Sequence, residues 1–436
     1  MRSITASLGL FAGLFLLNSQ AIAEDWPRFL GPDAKQASDD ADIPLEWGED
    51  KNLEWKLELT GSAGSSSPII VDQKIFLTSY SGYGLDEIEP GNIESLKRNL
   101  LCVDRQKGEI LWKKTVDAVL PEDPYRGFIT EHGYASNSPV SDGEYVYAFF
   151  GKSGVYAYDL DGNEQWHVSV GTESDNREWG TASSLILYKE MLIVTASSES
   201  RAIYALNKTN GEEIWKAEAS TLDLTFGTPS IVPLEDGSEE LVIAVPGEVW
   251  GMNPQNGKLK WMAEIVMGGN ISPSVFSHEN IIYAFGGIRG RGSVAIEAGG
   301  QGDVTESKVL WESSLTSYVP TPIYYEGYLY WVNDQGIAHC TDAKTGEEVF
   351  RERLPLQGSG GGRAMYGSVI RVKDNIIATT RRSGTYIFKA EPKFEIVAQN
   401  RFDDDTDFNA TPAIAGDQLF LRSNKALYCI SKQAEN

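Results

Sequence analysis

The chain has 436 residues, 41% of them hydrophobic and 23% charged, a composition that supports a sizeable core and excludes wholesale disorder. Its 62 acidic against 38 basic side chains leave a net charge of −24, which repels phosphate backbones and anionic headgroups and argues against nucleic-acid binding. Four histidines and three scattered cysteines show no zinc-ligand spacing.

The first element in the chain reads as an export signal. Arg2 precedes an apolar stretch at 8–17, and Ala21, Ile22 and Ala23 place small residues at the two specificity positions, so cleavage is expected after Ala23. The apolar stretch is too short to span a bilayer. No cysteine follows the cleavage point, so a lipid-anchored form is not supported. The expected product is a monomeric protein of the periplasm or the exterior, without a membrane span, in which 24–52 is an N-terminal extension and 53–433 is the folded body.

From residue 68 onward the chain repeats. Units begin at Pro68, Pro139, Ser184, Pro229, Pro273, Pro322, Ser368 and Pro412, and by subtraction the later starts lie 44 to 49 residues apart, the length of a four-stranded propeller blade. The first interval, 71 by subtraction, contains an insertion. Inside each unit, strand-like alternation as in KIFLTSY and EYVYAFF is bounded by Asp-Gly, Thr-Gly or Asn-Gly turns. The last unit stops after its third strand, and 51–59 (KNLEWKLEL) carries a strand with no unit before it. Joining the two completes an eighth blade and removes the exposed sheet edges. The expected fold is all-β, an eight-bladed β-propeller closed by its N-terminal strand.

Trp55, Trp112, Trp166, Trp215, Trp261 and Trp311 fall at one position of the repeat, with Phe350 in the sixth unit and no match in the seventh. A tryptophan there is expected to lie across the seam between neighbouring blades, burying roughly 150–250 Å² of surface. Cys102, Cys340 and Cys429 align with Ala157, Ala205 and Gly251, which predicts one small, buried strand position. An oxidising compartment allows a disulfide, but equivalent positions on separate blades are not expected to meet the short separation it requires, and the odd count leaves at least one thiol free.

The recurring VYALD-x-x-TG-x-x-x-W pattern resembles the PQQ-like (pyrroloquinoline quinone-like) propeller repeat of quinoprotein alcohol dehydrogenases and BamB-type outer-membrane assembly propellers. The segments DWPRFLGPD, SSSPII and YASNSPV resemble exported members of this group from planctomycete and related bacteria. The dehydrogenase resemblance implies a quinone held between a tryptophan floor and a disulfide of adjacent cysteines, with calcium on Glu, Asn and Asp and a catalytic Asp nearby. This chain has no Cys-Cys pair. No catalytic or metal-binding residue is therefore assigned and no cofactor is expected; PQQ with calcium belongs to an alternative reading, a dehydrogenase of unusual type. The BamB resemblance implies a scaffold that engages an envelope protein through loops on one face.

In a meander the b-to-c and d-to-a connections share one rim, and the long segments 81–99, 117–137, 171–182, 354–366 and 402–409 all belong to it. Binding residues concentrate in such loops. Within YRGFITEHGY, Tyr125, Arg126, Glu131, His132 and Tyr134 either orient a ligand or fold the loop over its own aromatics. Arg289, Arg291, Arg363, Arg381 and Arg382, with Tyr366 beside them, either receive an acidic group or balance nearby acids. The run GSGGG lacks the Lys-Ser or Lys-Thr of a phosphate loop. In FDDDTDFN, Asp403, Asp405, Asp407 and Asn409 alternate as in a calcium loop, but Phe408 stands where glycine belongs, so a solvated loop is expected. The reading that results is a non-catalytic exported propeller whose loop-rich face binds an envelope protein, a peptide or a glycan.

Overall fold

The computed structural model describes residues 25–288, 290–357 and 362–433, so the expected signal peptide, Arg289 and most of the GSGGG run lie outside the described residues. Eight antiparallel sheets follow one another along the chain, blades 2 to 7 spanning 140–168, 186–218, 230–264, 276–313, 323–353 and 370–400. Blade 1 consists of Ile69–Val71, Lys74–Ser81, Lys97–Asp104 and Ile110–Asp117, here called strands a to d from the axis outward. In blade 8, Ala413–Ala415, Gln418–Arg422 and Ala426–Ile430 are completed by the N-terminal strand Leu53–Glu58, with Trp55 opposite Cys429 and Leu57 opposite Leu427. The ring is closed as the sequence predicts.

Inner strands are sandwiched between neighbouring blades and bury both faces, as in Met191–Ala196. Outermost strands alternate, as in Leu53–Glu58, because only one face meets the next blade. This is where the tryptophans act. Trp166 lies across the seam to blade 3, its Nε1 donating to the Lys208 carbonyl at 3.0 Å. Its ring rests against Gly211, whose φ is +75°, and a Cβ there would come within 2.6 Å of the indole. Trp55, Trp112, Trp215 and Trp311 make the matching hydrogen bond to the next blade, at 3.0–3.1 Å.

Three seams differ, and Trp261 departs from the seam role expected of it. A connection inserted in blade 5 lays Gly302–Asp303 parallel to Trp261 and Met262, adding a fifth strand to blade 4. The covered Trp261 turns inward and donates to Glu240 at 2.7 Å, while Gly251 opposite leaves space that even an alanine would fill. In blade 6, Phe350 packs on Phe394 of blade 7 at 5.4 Å. The seventh blade has Ala398 at the tryptophan position, opposite Ile387. There the N-terminal segment fills the seam: Ile43 and Trp47 are buried in the core shared by blades 7 and 8, and Trp47 N–H donates to Asn400 at 2.9 Å.

Cys102, Cys340 and Cys429 are free and buried, opposite Trp112, Phe350 and Trp55. Burial pushes the Cys102 and Cys340 thiols up to about 12, so they are packing groups rather than nucleophiles.

The repeat itself is organised around hydroxyls. The backbone N–H of Ser67 donates to Ser138 Oγ at 2.9 Å, Ser138 to Ser184 at 3.0 Å, Ser184 to Thr228 at 3.0 Å and Thr228 to Ser274 at 3.1 Å. Ser274 then donates to Thr321 at 3.0 Å, Thr321 to Ser368 and Ser368 to Thr411 at 2.9 Å, and Thr411 back to Ser67 at 3.0 Å. One hydroxyl per blade thus closes a circle around the axis. It also corrects the phase of the repeat: five predicted starts follow their ring hydroxyl by one residue, whereas Ser184 and Ser368 coincide with it and Pro273 precedes it. Proline is a common neighbour of this position, but the hydroxyl defines it.

Candidate functional site

Strand alternation turns the residue two before each ring hydroxyl toward the axis as well. Those positions are Ser65, Ser136, Ala182, Phe226, Ser272, Val319, Tyr366 and Asn409, and together with the ring they line a cavity of about 110 Å³. The inner tier is uniform because it joins the blades. The second tier varies because nothing in the circle constrains it.

Phe29 also lines the cavity, from the N-terminal segment. This segment bridges Ile70 of blade 1 through Trp26, accepts from Ser141 N–H of blade 2 through the Pro27 carbonyl, and reaches Pro322 of blade 6 through Gln36 Nε2. It continues as Ala37–Ser38 alongside blade 7. It is a strap tied to the innermost strands on both sides of the axis.

Above the second tier the long loops supply a collar. Phe128 and Trp179 meet with ring centroids 4.5 Å apart, Phe226 lies 6.2 Å from Trp179, and Tyr318 lies 6.0 Å from Phe128. Phe128 is held in place because its loop is anchored from below. Arg98 pairs with Glu122 at 2.5 Å, and Lys152 reaches Asp123 at 3.1 Å and the Pro121 carbonyl at 3.0 Å. Glu199 is buried beside this cluster, and desolvation, reinforced by the charge of Glu122, pushes its carboxyl up to about 8.

His132 is the one ionisable imidazole in the wall. Its Nε2 faces the Trp179 carbonyl at 3.1 Å and must carry the proton, leaving Nδ1 to accept from Ser136 Oγ at 2.6 Å. Burial lowers its pKa to about 4, and a carbonyl rather than a carboxylate orients it, so it is a weak base fixed in place. Asn409 donates through Nδ2 to the Glu131 carbonyl at 2.8 Å, while its Oδ1 is buried without a hydrogen-bond partner.

The residues expected from sequence are distributed by the structure. Tyr125 and Tyr134 pack with Tyr80 and Tyr83 under the loop. Arg126 is exposed and pairs with Glu178 at 2.5 Å. Glu131 gathers Arg381 at 2.5 Å and Arg363 at 3.9 Å, and Arg381 and Arg382 both engage Asp407. Arg363 covers the faces of Phe128 and Tyr318 at 4.4 and 4.8 Å. Arg291 is exposed. His132 and Tyr366 reach the cavity itself. In FDDDTDFN, Asp405 is taken by Lys425 and Asp404 by Ser423 and Tyr428. No group of three or more metal-ligating side chains occurs among the described residues. Sequence reasoning missed the hydroxyl ring, Phe128, Trp179, Phe226, Asn270 and Tyr318; for the ring alone a signal existed, the Ser or Thr standing before proline at the unit starts.

The sequence profile of the family described as outer membrane protein assembly factor BamB matches residues 45–179 and 97–352. The chain belongs to this family of PQQ-like repeat propellers. No curated protein matches the sequence. Among solved structures, BamB from Moraxella catarrhalis is similar at 11% identity and a TM-score of 0.61, over 88% of this chain and 98% of that one. The computationally designed Ika8 protein is similar at 10% identity and a TM-score of 0.56, over 89% of this chain and 100% of that one. Quinohemoprotein alcohol dehydrogenase from Comamonas testosteroni is similar at 12% identity and a TM-score of 0.53, over 94% of this chain and 81% of that one. At these identities the likeness is one of fold, and a PQQ-like repeat propeller hosts unrelated functions. No helix among the described residues is long and apolar enough to cross a membrane.

The axial wall of this PQQ-like propeller does not fit the quinone that the dehydrogenase resemblance implies. That molecule carries several carboxylates and needs cations around it, whereas the described residues lining the cavity offer hydroxyls, carboxamides, one neutral imidazole and aromatic rings, with no Asp, Glu, Lys or Arg among them. Arg363, a cation at its mouth, is already shared between Glu131 and two ring faces.

Proposed function

We propose that this protein is an exported, non-catalytic binding propeller that holds a component of the cell envelope against its loop-rich face. The observation that carries the reading is the axial site: a cavity floored by a strap and collared by aromatic side chains from several loops, with no charged side chain among the described residues of its wall. Binding needs such a pre-formed concave surface, and the imidazole in the wall, His132, is a weak base whose ring is fixed by a backbone carbonyl. The family membership supports the scaffold side of the reading, since the matched family is described by an assembly factor. A quinone-dependent dehydrogenase is the competing reading, supported by fold likeness alone.

The test is retention from envelope extract on the immobilised mature protein, beside a Phe128→Ala, Arg363→Ala double variant that opens the collar. A component retained by the wild type and lost by the variant is expected. Equal retention by both, or dye-linked alcohol oxidation after loading with PQQ and calcium, overturns the proposal.

A further inference from the structure

We propose that the axial cavity receives one ring of a neutral, polyhydroxylated ligand, the terminal residue of an uncharged glycan; this rests on the reading of the loop-rich face as a binding face.

Charge is the first argument. In a protein of net charge −24 the described residues of the cavity wall include no ionised side chain, and Glu131, Asp407, Arg363 and Arg381 beside its mouth are paired with one another. A charged ligand entering it loses hydration and gains no counterion. A neutral one loses little.

Hydrogen-bonding capacity is the second. Every ring oxygen already accepts one backbone N–H, so its own O–H is free to donate toward the axis. Against these donors stands Asn409 Oδ1, a buried acceptor with no partner. A buried acceptor left unpaired is costly, and the ligand that matches the wall must therefore donate and accept at adjacent atoms. Hydroxyl groups do both, and a sugar edge presents several in a row.

Shape is the third. Phe128, Trp179 and Phe226 offer tilted apolar faces above the hydroxyls, the combination that takes the C–H face of a pyranose while its edge points down. At about 110 Å³ the cavity is somewhat smaller than the ~150 Å³ that encloses one six-membered ring in a protein core. One ring, edge first, enters; its outer face remains between Phe128 and Trp179, and the rest of a chain stays outside.

The experiment is calorimetry and saturation-transfer NMR on the mature protein with the methyl glycosides of glucose, galactose, mannose and N-acetylglucosamine. Glucuronate and glucosamine serve as charged analogues and N-acetyl-dialanine methylamide as a neutral peptide. Saturable binding of at least one neutral glycoside is expected, with a Kd on the order of 1 mM and at least about tenfold weaker binding of the charged analogues. Trp179→Ala should weaken it by at least about tenfold and Trp179→Phe should retain it, with Phe226→Ala as an independent variant on another blade. No saturation by any neutral glycoside up to about 50 mM, well above that Kd, overturns the inference. Equal binding of charged analogues, or binding untouched by both alanine variants, does so too. Binding of the peptide without any sugar overturns the glycan assignment and leaves the binding-face reading standing. Sugar binding in a protein that retains no envelope component defeats that reading instead.

Discussion

Replacing Thr321 by valine tests whether the hydroxyl circle holds the blades together. Thr321 is 1% exposed; its Oγ1 accepts the Ser274 N–H at 3.0 Å, and its own N–H donates to Ser368 at 2.9 Å. Valine keeps the shape and the second bond but orphans a buried N–H, which costs about 1–3 kcal/mol. Serine keeps the acceptor and deletes one methyl, about 0.8 kcal/mol. With an unfolding entropy near 2.1 cal/mol/K per residue, a domain of about 400 residues has ~0.85 kcal/mol/K, so Thr321→Val should lower Tm by about 1–4 °C and Thr321→Ser by about 1 °C. Scanning calorimetry and urea titration of the three proteins measure the difference. A valine variant as stable as wild type shows that channel water replaces the hydroxyl, and serine costing more than valine shows that packing alone matters; either result refutes the reasoning.

Gly211→Ala places a Cβ 2.6 Å from Trp166 at φ +75°, and urea titration should show a loss of about 2–4 kcal/mol. Trp55→Ala removes the seam contact of the closing strand and its bond to the Arg105 carbonyl; a loss of about 2–4 kcal/mol is expected, with faster amide exchange at 426–430. Glu199, raised from 4.5 to about 8, binds its proton more tightly when folded, so its contribution falls as pH rises from about 4.5 to 8, by at most about 5 kcal/mol. Glu199→Gln should flatten that limb of a stability-against-pH curve. His132 runs the other way: lowered from 6.5 to about 4, it makes stability fall on acidification through that interval, and His132→Gln should remove this loss.

The site was far less legible than the ring. In the sequence Phe128 is only part of a loop, and its place over the axis depends on buried Arg98, on a strand of blade 1, and Lys152, in a short turn of blade 2, neither of which carries a signal in YRGFITEHGY. Asn409 stands in an acidic run of the sequence, yet its significance is that one oxygen is buried and unpaired, a property of surroundings and not of spacing. Trp261 shares its register with the other docking tryptophans and differs because an insertion forty residues later covers it.

What the sequence by itself determined is whatever recurs: strand alternation, turn glycines, seam tryptophans and the blade count, since each repeats a local constraint from blade to blade, and with them the closing strand, the one piece the last unit lacks. The tertiary structure alone decided which side chains meet at the axis. There every blade contributes a single residue per tier, so neighbours in space are a whole blade apart in the chain, and the cavity, its neutrality and its unpaired acceptor exist only once the circle is closed.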